Sequence, residues 1–348
     1  MPSNAHSVRQ KLLAWYRKNA RDLPWRHTRD PYKIWVSEIM LQQTQVQTVI
    51  PYYKRWLTRF PTLASLADAP LDEVMKYWAG LGYYRRVKML HAAAKFVRQE
   101  LAGKIPADPE GLLKIPGIGR YTAGAIASIA FQKPVPLVDG NVIRILTRLY
   151  AIKKDVGRTD TLKAIWDFAA GLVPDQHAGD FNQAMMELGA ILCLPNNPAC
   201  LVCPVSSECK ARALGHPEKF PVKLQKEKLQ KLNTAALILK NPRNEVLIGQ
   251  QPHAARWGGL WMFPFGASLQ EVAGRFKIQQ LPDAHCLEIK HGFTKYSIRL
   301  SVFEARLPAK SAQKLALPGH RWTPISRLDQ FAFPSPHKKI ADYLAEKN

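Results

Sequence analysis

From the N-terminus to about Phe181 the apolar positions return every three or four residues, and no stretch alternates with the period of a half-buried strand. Val8, Leu12, Leu13 and Tyr16 share one side of a first amphipathic helix. Asp30-Pro31 starts a second, with Asp as N-cap and Pro at the first helical position, and it runs through Ile34-Trp35-Val36-Ser37-Glu38-Ile39-Met40-Leu41. A third follows Thr44 on Val46, Val49, Ile50 and Tyr53 and stops at Phe60-Pro61. Further helices are predicted over 71–79, 86–101, 121–131 and 181–192. The stretch 217–231 carries two prolines and five lysines against two glutamates, and reads as a linker. Beyond it the period changes. Residues 234–240 and 245–250 read as strands joined by the Asn241-Pro242-Arg243-Asn244 hairpin. A helix near 268–276, two strands flanking His291-Gly292-Phe293-Thr294-Lys295 and a last helix over 336–346 complete the pattern. The chain is therefore expected to fold as a mainly α domain over 1–216, a linker, and an α+β domain over 232–348.

Charge adds a partner to this outline. The 348 residues hold 50 Lys and Arg against 27 Asp and Glu, a net of 50 − 27 = +23, which favours a polyanion and, of the polyanions, nucleic acid. No apolar run approaches the roughly 18 residues of a spanning helix, and the first residues show no secretory h-region, so an intracellular, soluble protein is expected.

Cysteine usage points the same way. Four of the five cysteines fall within seventeen residues, Cys193, Cys200, Cys203 and Cys209, spaced C-x6-C-x2-C-x5-C. Zinc usually takes two short Cys knuckles separated by a longer span, whereas an all-thiolate set in one compact loop suits an iron–sulfur cluster; zinc is the alternative. Lys210 and Arg212 beside the loop suit phosphates. Cys286 stands apart and is expected to be a buried small hydrophobe.

Four further stretches carry candidate chemistry. Glu38 sits among Trp35, Ile39, Met40 and Leu41, where desolvation would raise its pKa and keep it partly protonated, as a general acid requires. Pro116-Gly117-Ile118-Gly119 precedes a helix built on Ala123, Gly124, Ala125 and Ala127, leaving backbone N–H groups at a helix start for an anion and small residues for a close neighbour. Val138-Asp139-Gly140-Asn141 then places a carboxylate beside that hairpin. Gly80-Leu81-Gly82-Tyr83-Tyr84-Arg85-Arg86 combines a turn with rings that can stack on bases and guanidinium groups that can hold phosphates.

PGIG followed by VDGN resembles the helix-hairpin-helix family of DNA glycosylases. The cysteine spacing resembles the 4Fe–4S loop of that family's endonuclease III and MutY branches. Trp257-Gly258-Gly259-Leu260-Trp261-Met262-Phe263-Pro264 resembles the Nudix-like domain appended to MutY-type adenine glycosylases. Taken together, nearly the whole chain is similar to that branch, which implies two helical lobes, a 4Fe–4S cluster on the four cysteines, and a bacterial-type, nucleoid-associated cytoplasmic monomer acting on duplex DNA. The branch excises adenine paired with 8-oxoguanine or guanine after flipping it from the helix. By resemblance, Glu38 is the general acid at adenine N7, Asp139 faces the sugar, and Asn141 is its polar neighbour. Trp25, Arg26 and Gln183 line the base pocket, Gln43 and Tyr83 enter the distorted base pairs, and Gly117 and Gly119 form the hairpin. Tyr121 stands where the lyases of this superfamily carry a Schiff-base lysine, implying a monofunctional enzyme. An endonuclease III-like lyase on oxidised pyrimidines is the alternative. The second domain lacks the Arg-Glu-x-x-Glu-Glu metal signature of a Nudix hydrolase, so it is expected to bind rather than hydrolyse. Its Phe293-Thr294-Lys295 replaces the Phe-Ser-His common in the family's lesion-reading loop.

Overall fold

A computed structural model describes residues 4–224, 230–252, 257–293, 296–315 and 317–347. It divides into two compact units, Met1–Asp68 with Met89–Lys226, and Ala69–Lys88 with Glu227–Asn348. In chain order the helices of the first half are α1 (Ala5–Asn19), α2 (Pro31–Leu41), α3 (Val46–Arg59), α4 (Leu63–Ala67), α5 (Leu71–Trp78) and α6 (Arg85–Glu100). They continue with α7 (Pro109–Leu113), α8 (Arg120–Ile129), α9 (Gly140–Leu149), α10 (Thr159–Leu172), α11 (Ala178–Ile191) and α12 (Lys210–Ala213). The predicted helices are present, with ends displaced by one to three residues, as fraying ends allow. Among the described residues no helix is long and apolar enough to cross a membrane.

The first unit uses the N-terminal helix as a wall for distant segments. Val8, Leu12 and Tyr16 of α1 join one core with Val142, Ile145 and Leu149 of α9, Ile165 of α10, and Phe181, Met185 and Leu188 of α11. Arg9 ties the same helix to the end of α10, its Nε and Nη2 donating to Leu172, Gly171 and Val173 carbonyls at 2.8, 3.0 and 3.2 Å. These carbonyls would otherwise be left without partners at a helix C-terminus. Ser7 and Lys11 both reach Glu208 in the cysteine loop, at 2.6 and 2.7 Å. The α2 helix starts as its sequence dictates: Asp30 Oδ1 accepts from Tyr32 and Lys33 N–H at 2.9 and 3.3 Å. Tyr32 Oη donates to Phe60 O at 2.9 Å and accepts from Trp56 Nε1 at 3.1 Å, fastening α2 to α3. The small residues of α8 serve close approach, since a Cβ on Gly124 would stand 2.2 Å from Pro136 O.

The second unit is built on a twisted mixed sheet. Its strands are β1 (Gln230–Lys240), β2 (Glu245–Gln250), β3 (Trp261–Met262), β4 (Phe265–Gly266), β5 (Leu287–Phe293), β6 (Tyr296–Arg306) and β7 (His320–Pro324). The order is β3-β2-β1-β6-β5, with β4 on β1 and β7 on β2. β1 and β6 run parallel from Gln230↔Tyr296 to Lys240↔Arg306. Alternate residues of β1 enter different cores. Ala236 and Ile238 face Ile325, Phe333, Ile340 and Leu344, the last two from helix α15 (Ser335–Glu346). Leu237 and Leu239 face Val272 of helix α13 (Leu269–Arg275), together with Phe276 and with Ala312 of helix α14 (Ala309–Lys314). A strand covered on both faces carries a continuous apolar run, which is why Ala235 to Leu239 shows no polar alternation.

Candidate active site

Glu38 stands in the middle of α2 with only 4% of its surface exposed, between helical neighbours that are themselves buried. Its Oε2 accepts from Tyr121 Oη, and the same hydroxyl lies 3.5 Å from Met186 Sδ. Burial pushes the Glu38 carboxyl up to about 7, and the Asp139 charge adds to the rise. The Tyr121 hydrogen bond and the Arg26 charge pull it down. Tyr121 is raised well above the ordinary phenol value, chiefly by burial and then by Glu38 and Asp139, so it remains a donor. Near neutrality a carboxyl at about 7 gives up or holds a proton with little bias, as acid catalysis requires.

Asp139 is the N-cap of α9. Its Oδ1 accepts from Val142 N–H at 2.7 Å and its Oδ2 from Asn141 Nδ2 at 2.8 Å. Burial raises its pKa, while those donors and the Arg144 charge oppose the rise. Asn141 passes the arrangement on, its Oδ1 accepting from Arg144 Nη2 at 2.8 Å. Arg144 in turn donates to Gly189 O and Cys193 O, both at 2.7 Å. The two carboxyls therefore have different surroundings, Glu38 accepting from a phenol among apolar neighbours and Asp139 from the Val142 and Asn141 N–H groups, the kind of contrast that separates an acid from an anion.

The remaining expected residues fall into groups. Trp25 is buried in a short 3-10 turn (Pro24–Arg26), edge-on to Tyr53 with ring centroids 5.5 Å apart. Arg26 donates to Glu187 Oε2 at 2.7 Å and to Arg21 O at 2.9 Å, and its guanidinium lies over the Tyr16 ring. Gln183 is half-buried on α11. Gly117 and Gly119 form the exposed hairpin before α8, which Ile118 N–H closes onto Ile115 O at 3.1 Å, and Gly117 has a φ of +83° that disfavours a side chain. Gln43, in the turn after α2, has a φ of +55°. Tyr83 and Phe293 belong to the second unit, Tyr83 with a φ of +48° and Phe293 paired with Tyr296 at the end of β5. Thr294 and Lys295 lie outside the described residues. Cys286, expected to be buried, is exposed just ahead of β5, where the edge of the sheet leaves it open to solvent.

Cys193, Cys200, Cys203 and Cys209 line one cavity with Ile145, Leu188 and Val205. Burial pushes Cys203 up to about 11 and raises Cys200 and Cys209, and the neighbouring cysteines add to each rise. Thiols so placed become ligands when a bound cation neutralises them. Among the described residues no group of three or more His, Cys, Asp or Glu is placed to hold a single metal ion. Four thiols around one cavity are the donor chemistry of a thiolate-bound iron–sulfur centre. Arg148, only 2% exposed, donates to Cys193 Sγ at 3.3 Å and to the Leu194, Pro195 and Phe220 carbonyls at 2.6, 2.9 and 3.2 Å.

Four residues escaped the reading of the sequence: Glu187, Met186, Arg144 and Arg148. Glu187 is 1% exposed and takes Arg21 and Arg26 together at 2.8 and 2.7 Å. Its signal was available, because a glutamate within the apolar run Phe181–Leu192 raises the same question as Glu38 within α2. The arginines at four-residue spacing on the apolar α9 carry a similar signal.

Residues 36–170 match the HhH-GPD superfamily of base excision DNA repair proteins, and residues 235–343 match the NUDIX domain. The solved structure of a thermostable thymine-DNA glycosylase aligns with a TM-score of 0.56 at 30% identity, covering 60% of this chain and 97% of that one. A non-covalent endonuclease III–DNA complex aligns with a TM-score of 0.51 at 22% identity, covering 61% and 97%, and speaks for the fold alone. Adenine DNA glycosylase of Rattus norvegicus is 37% identical, covering 96% of this chain and 77% of that protein. The same enzyme of Buchnera aphidicola (from Acyrthosiphon pisum) is 34% identical and covers 96% of both chains. With that identity along nearly its full length, the chain belongs to the adenine DNA glycosylase family.

Proposed function

We propose that the chain is a monofunctional DNA glycosylase that flips adenine out of mispairs with 8-oxoguanine or guanine and hydrolyses its N-glycosidic bond, with Glu38 as general acid and Asp139 facing the sugar. The observation that carries this is the pairing of a buried Glu38, whose carboxyl burial pushes up to about 7, with an N–H-bonded Asp139. Protonation of adenine N7 by Glu38 makes the base a better leaving group, and acid catalysis of this kind supplies roughly two to four decades in rate. The sugar is left with oxocarbenium character, which an ionised Asp139 at about 4 Å would favour by on the order of 4 kcal/mol at an effective dielectric of 20. That is about three decades more. Tyr121 keeps Glu38 oriented by its hydrogen bond and offers no amine, so no Schiff base forms and the strand is not nicked. An endonuclease III-like lyase is disfavoured for the same reason.

Trp25, Arg26 and Gln183 line the base pocket, and Gln43 and Tyr83 fill the distorted base pairs. Gln43 is exposed and Tyr83 half-buried, each on a left-handed backbone that turns tightly at that residue. The hairpin at Gly117 and Gly119 ends in the free N–H groups of the α8 start, which suit a DNA phosphate. The cavity around Cys193, Cys200, Cys203 and Cys209 would hold a 4Fe–4S cluster, which brings cationic charge compensation and a cross-link to the loop when bound. Domain boundaries at 1–216, 217–231 and 232–348 assign lesion reading to the Nudix-like part, where Phe293, Thr294 and Lys295 contact the 8-oxoguanine. A monomer working at the bacterial nucleoid fits the basic chain.

The experiment is Asp139→Asn with single-turnover excision of adenine from an 8-oxoguanine:adenine duplex. Loss of excision with duplex affinity retained is expected. Near-normal excision would remove Asp139 from the mechanism.

A further inference from the structure

The turn that carries Tyr83 is held in an unfavourable conformation. Gly80, Gly82 and Tyr83 have φ values of +102°, +72° and +48°. A tyrosine gains nothing intrinsically from the left-handed region, so it stays there only where its surroundings over-determine it. Part of that restraint is local. Trp78 Nε1 donates to Gly82 O at 3.0 Å, and Arg86 Nη2 donates to Leu81 O and Gly82 O, each at 3.3 Å.

The other part comes from residues about 170 and 250 positions further along the chain, within the same unit. The Oη of Tyr84, buried beside Tyr83, donates to Phe333 O at 2.7 Å and accepts from Gly80 N–H at 3.2 Å. One hydroxyl thus joins both ends of the turn to a fixed carbonyl. Lys88, one helical turn on in α6, donates its Nζ to the carbonyl of buried Gly258 at 2.6 Å. The two acceptors belong to one hydrogen-bonded and stacked piece of the domain. Trp261 N–H bonds Ala332 O at 2.9 Å, Leu260 N–H bonds Trp257 O at 3.0 Å, and Phe263 stacks on Phe333 at 5.6 Å. The Trp257–Pro264 motif therefore does more than close the sheet.

We propose that Tyr84 and Lys88 are positioning residues through which the Trp257–Pro264 and Phe331–Phe333 segments set the Gly80–Tyr83 turn and so the reach of the Tyr83 ring into DNA. This rests on Tyr83 being a residue inserted beside the mispair. The domain that follows the linker then controls base-pair opening directly, apart from any contact of its own with the lesion.

The test uses the full-length protein and a duplex with 2-aminopurine next to an 8-oxoguanine:adenine pair, whose fluorescence rises as the neighbouring bases unstack. Tyr84→Phe removes only the hydroxyl, and Lys88→Met keeps the stem and loses the ammonium. In each the unstacking rate should fall about tenfold, the effect of one lost buried hydrogen bond. Affinity for undamaged duplex should change much less. Tyr83→Ser should lose the rise outright, and adding Tyr84→Phe to it should have no further effect, because the hydroxyl acts through the ring. A merely structural hydroxyl would lower the melting temperature and act additively in that pair. Wild-type unstacking rates in both Tyr84→Phe and Lys88→Met would overturn the positioning role while leaving Tyr83 in place. A wild-type rate in Tyr83→Ser would overturn the wedge reading and the positioning role with it.

Discussion

Removing the hydroxyl of Tyr121 should move the pH dependence of excision without any change in the acid itself. Glu38 sits at about 7 because burial raises it further than the Tyr121 hydrogen bond and the Arg26 charge lower it. In Tyr121→Phe the carboxylate keeps its burial and loses its O–H donor. A hydrogen bond to a charged group contributes about 1.5–3 kcal/mol, and each pKa unit is worth about 1.4 kcal/mol, so the loss raises Glu38 by roughly one to two units. Glu38 acts in its protonated form, so the rate falls as pH rises through this value. At about pH 8 the protonated fraction would grow from roughly a tenth to a half or more. The Asp139 carboxyl, whose hydrogen bonds come from Val142 and Asn141, keeps its titration, so the acid limb stays in place. Single-turnover excision from an 8-oxoguanine:adenine duplex, with enzyme in excess and pH varied from about 5.5 to 9.5, reads both limbs. The plateau height is free to change through lost packing. An alkaline limb that stays put, or moves to lower pH, would refute the claim that Tyr121 stabilises the Glu38 carboxylate.

Because burial raises the folded Glu38 value from 4.5 to about 7, its favourable contribution is complete below the unfolded value and lost as pH rises through the folded one. Glu38→Gln should therefore unfold at higher urea than wild type at about pH 8, by up to roughly 3 kcal/mol, with the difference vanishing near pH 4.5, while excision is abolished; a loss of stability at pH 8 would contradict it. Burial opposes ionisation of Glu187, yet Arg21 and Arg26 outweigh it and hold its carboxyl at about 2. Glu187→Ala leaves two cations without their carboxylate and should cost roughly 3–5 kcal/mol at neutral pH, less as pH falls through the folded value; urea unfolding at both pH values checks this. Cys203→Ser should yield colourless protein with little bound iron, and stoichiometric zinc in active, colourless wild type would sink the cluster. Borohydride should trap Tyr121→Lys on its substrate and leave wild type free.

Local patterns were enough for the helices their spacing predicted, while α9 and α10 went unread. Asp30-Pro31 announces the α2 start because the cap and the missing N–H both act within one turn, and the apolar spacing of α1 and α3 marks the faces they bury. The family resemblance of the hairpin, the aspartate and the cysteine spacing supplied most of the candidate site. What the chain could not announce is which buried face meets which. Glu38 and Tyr121 are 83 residues apart, and Glu187 lies more than 160 residues from Arg21 and Arg26, separations at which no periodicity links the partners. The parallel pairing of β1 with β6 joins residues 66 apart (296 − 230), and the exposure of Cys286 follows from its place at a sheet edge. Tyr84 and Lys88 look, by sequence, like part of one more helical hairpin of the first domain, yet they bond the carbonyls of Phe333 and Gly258. Periodicity reports that a face is buried, since burial repeats with the helical turn. The identity of the covering surface, and with it the pKa of Glu38, depends on distances between segments that only the folded chain sets.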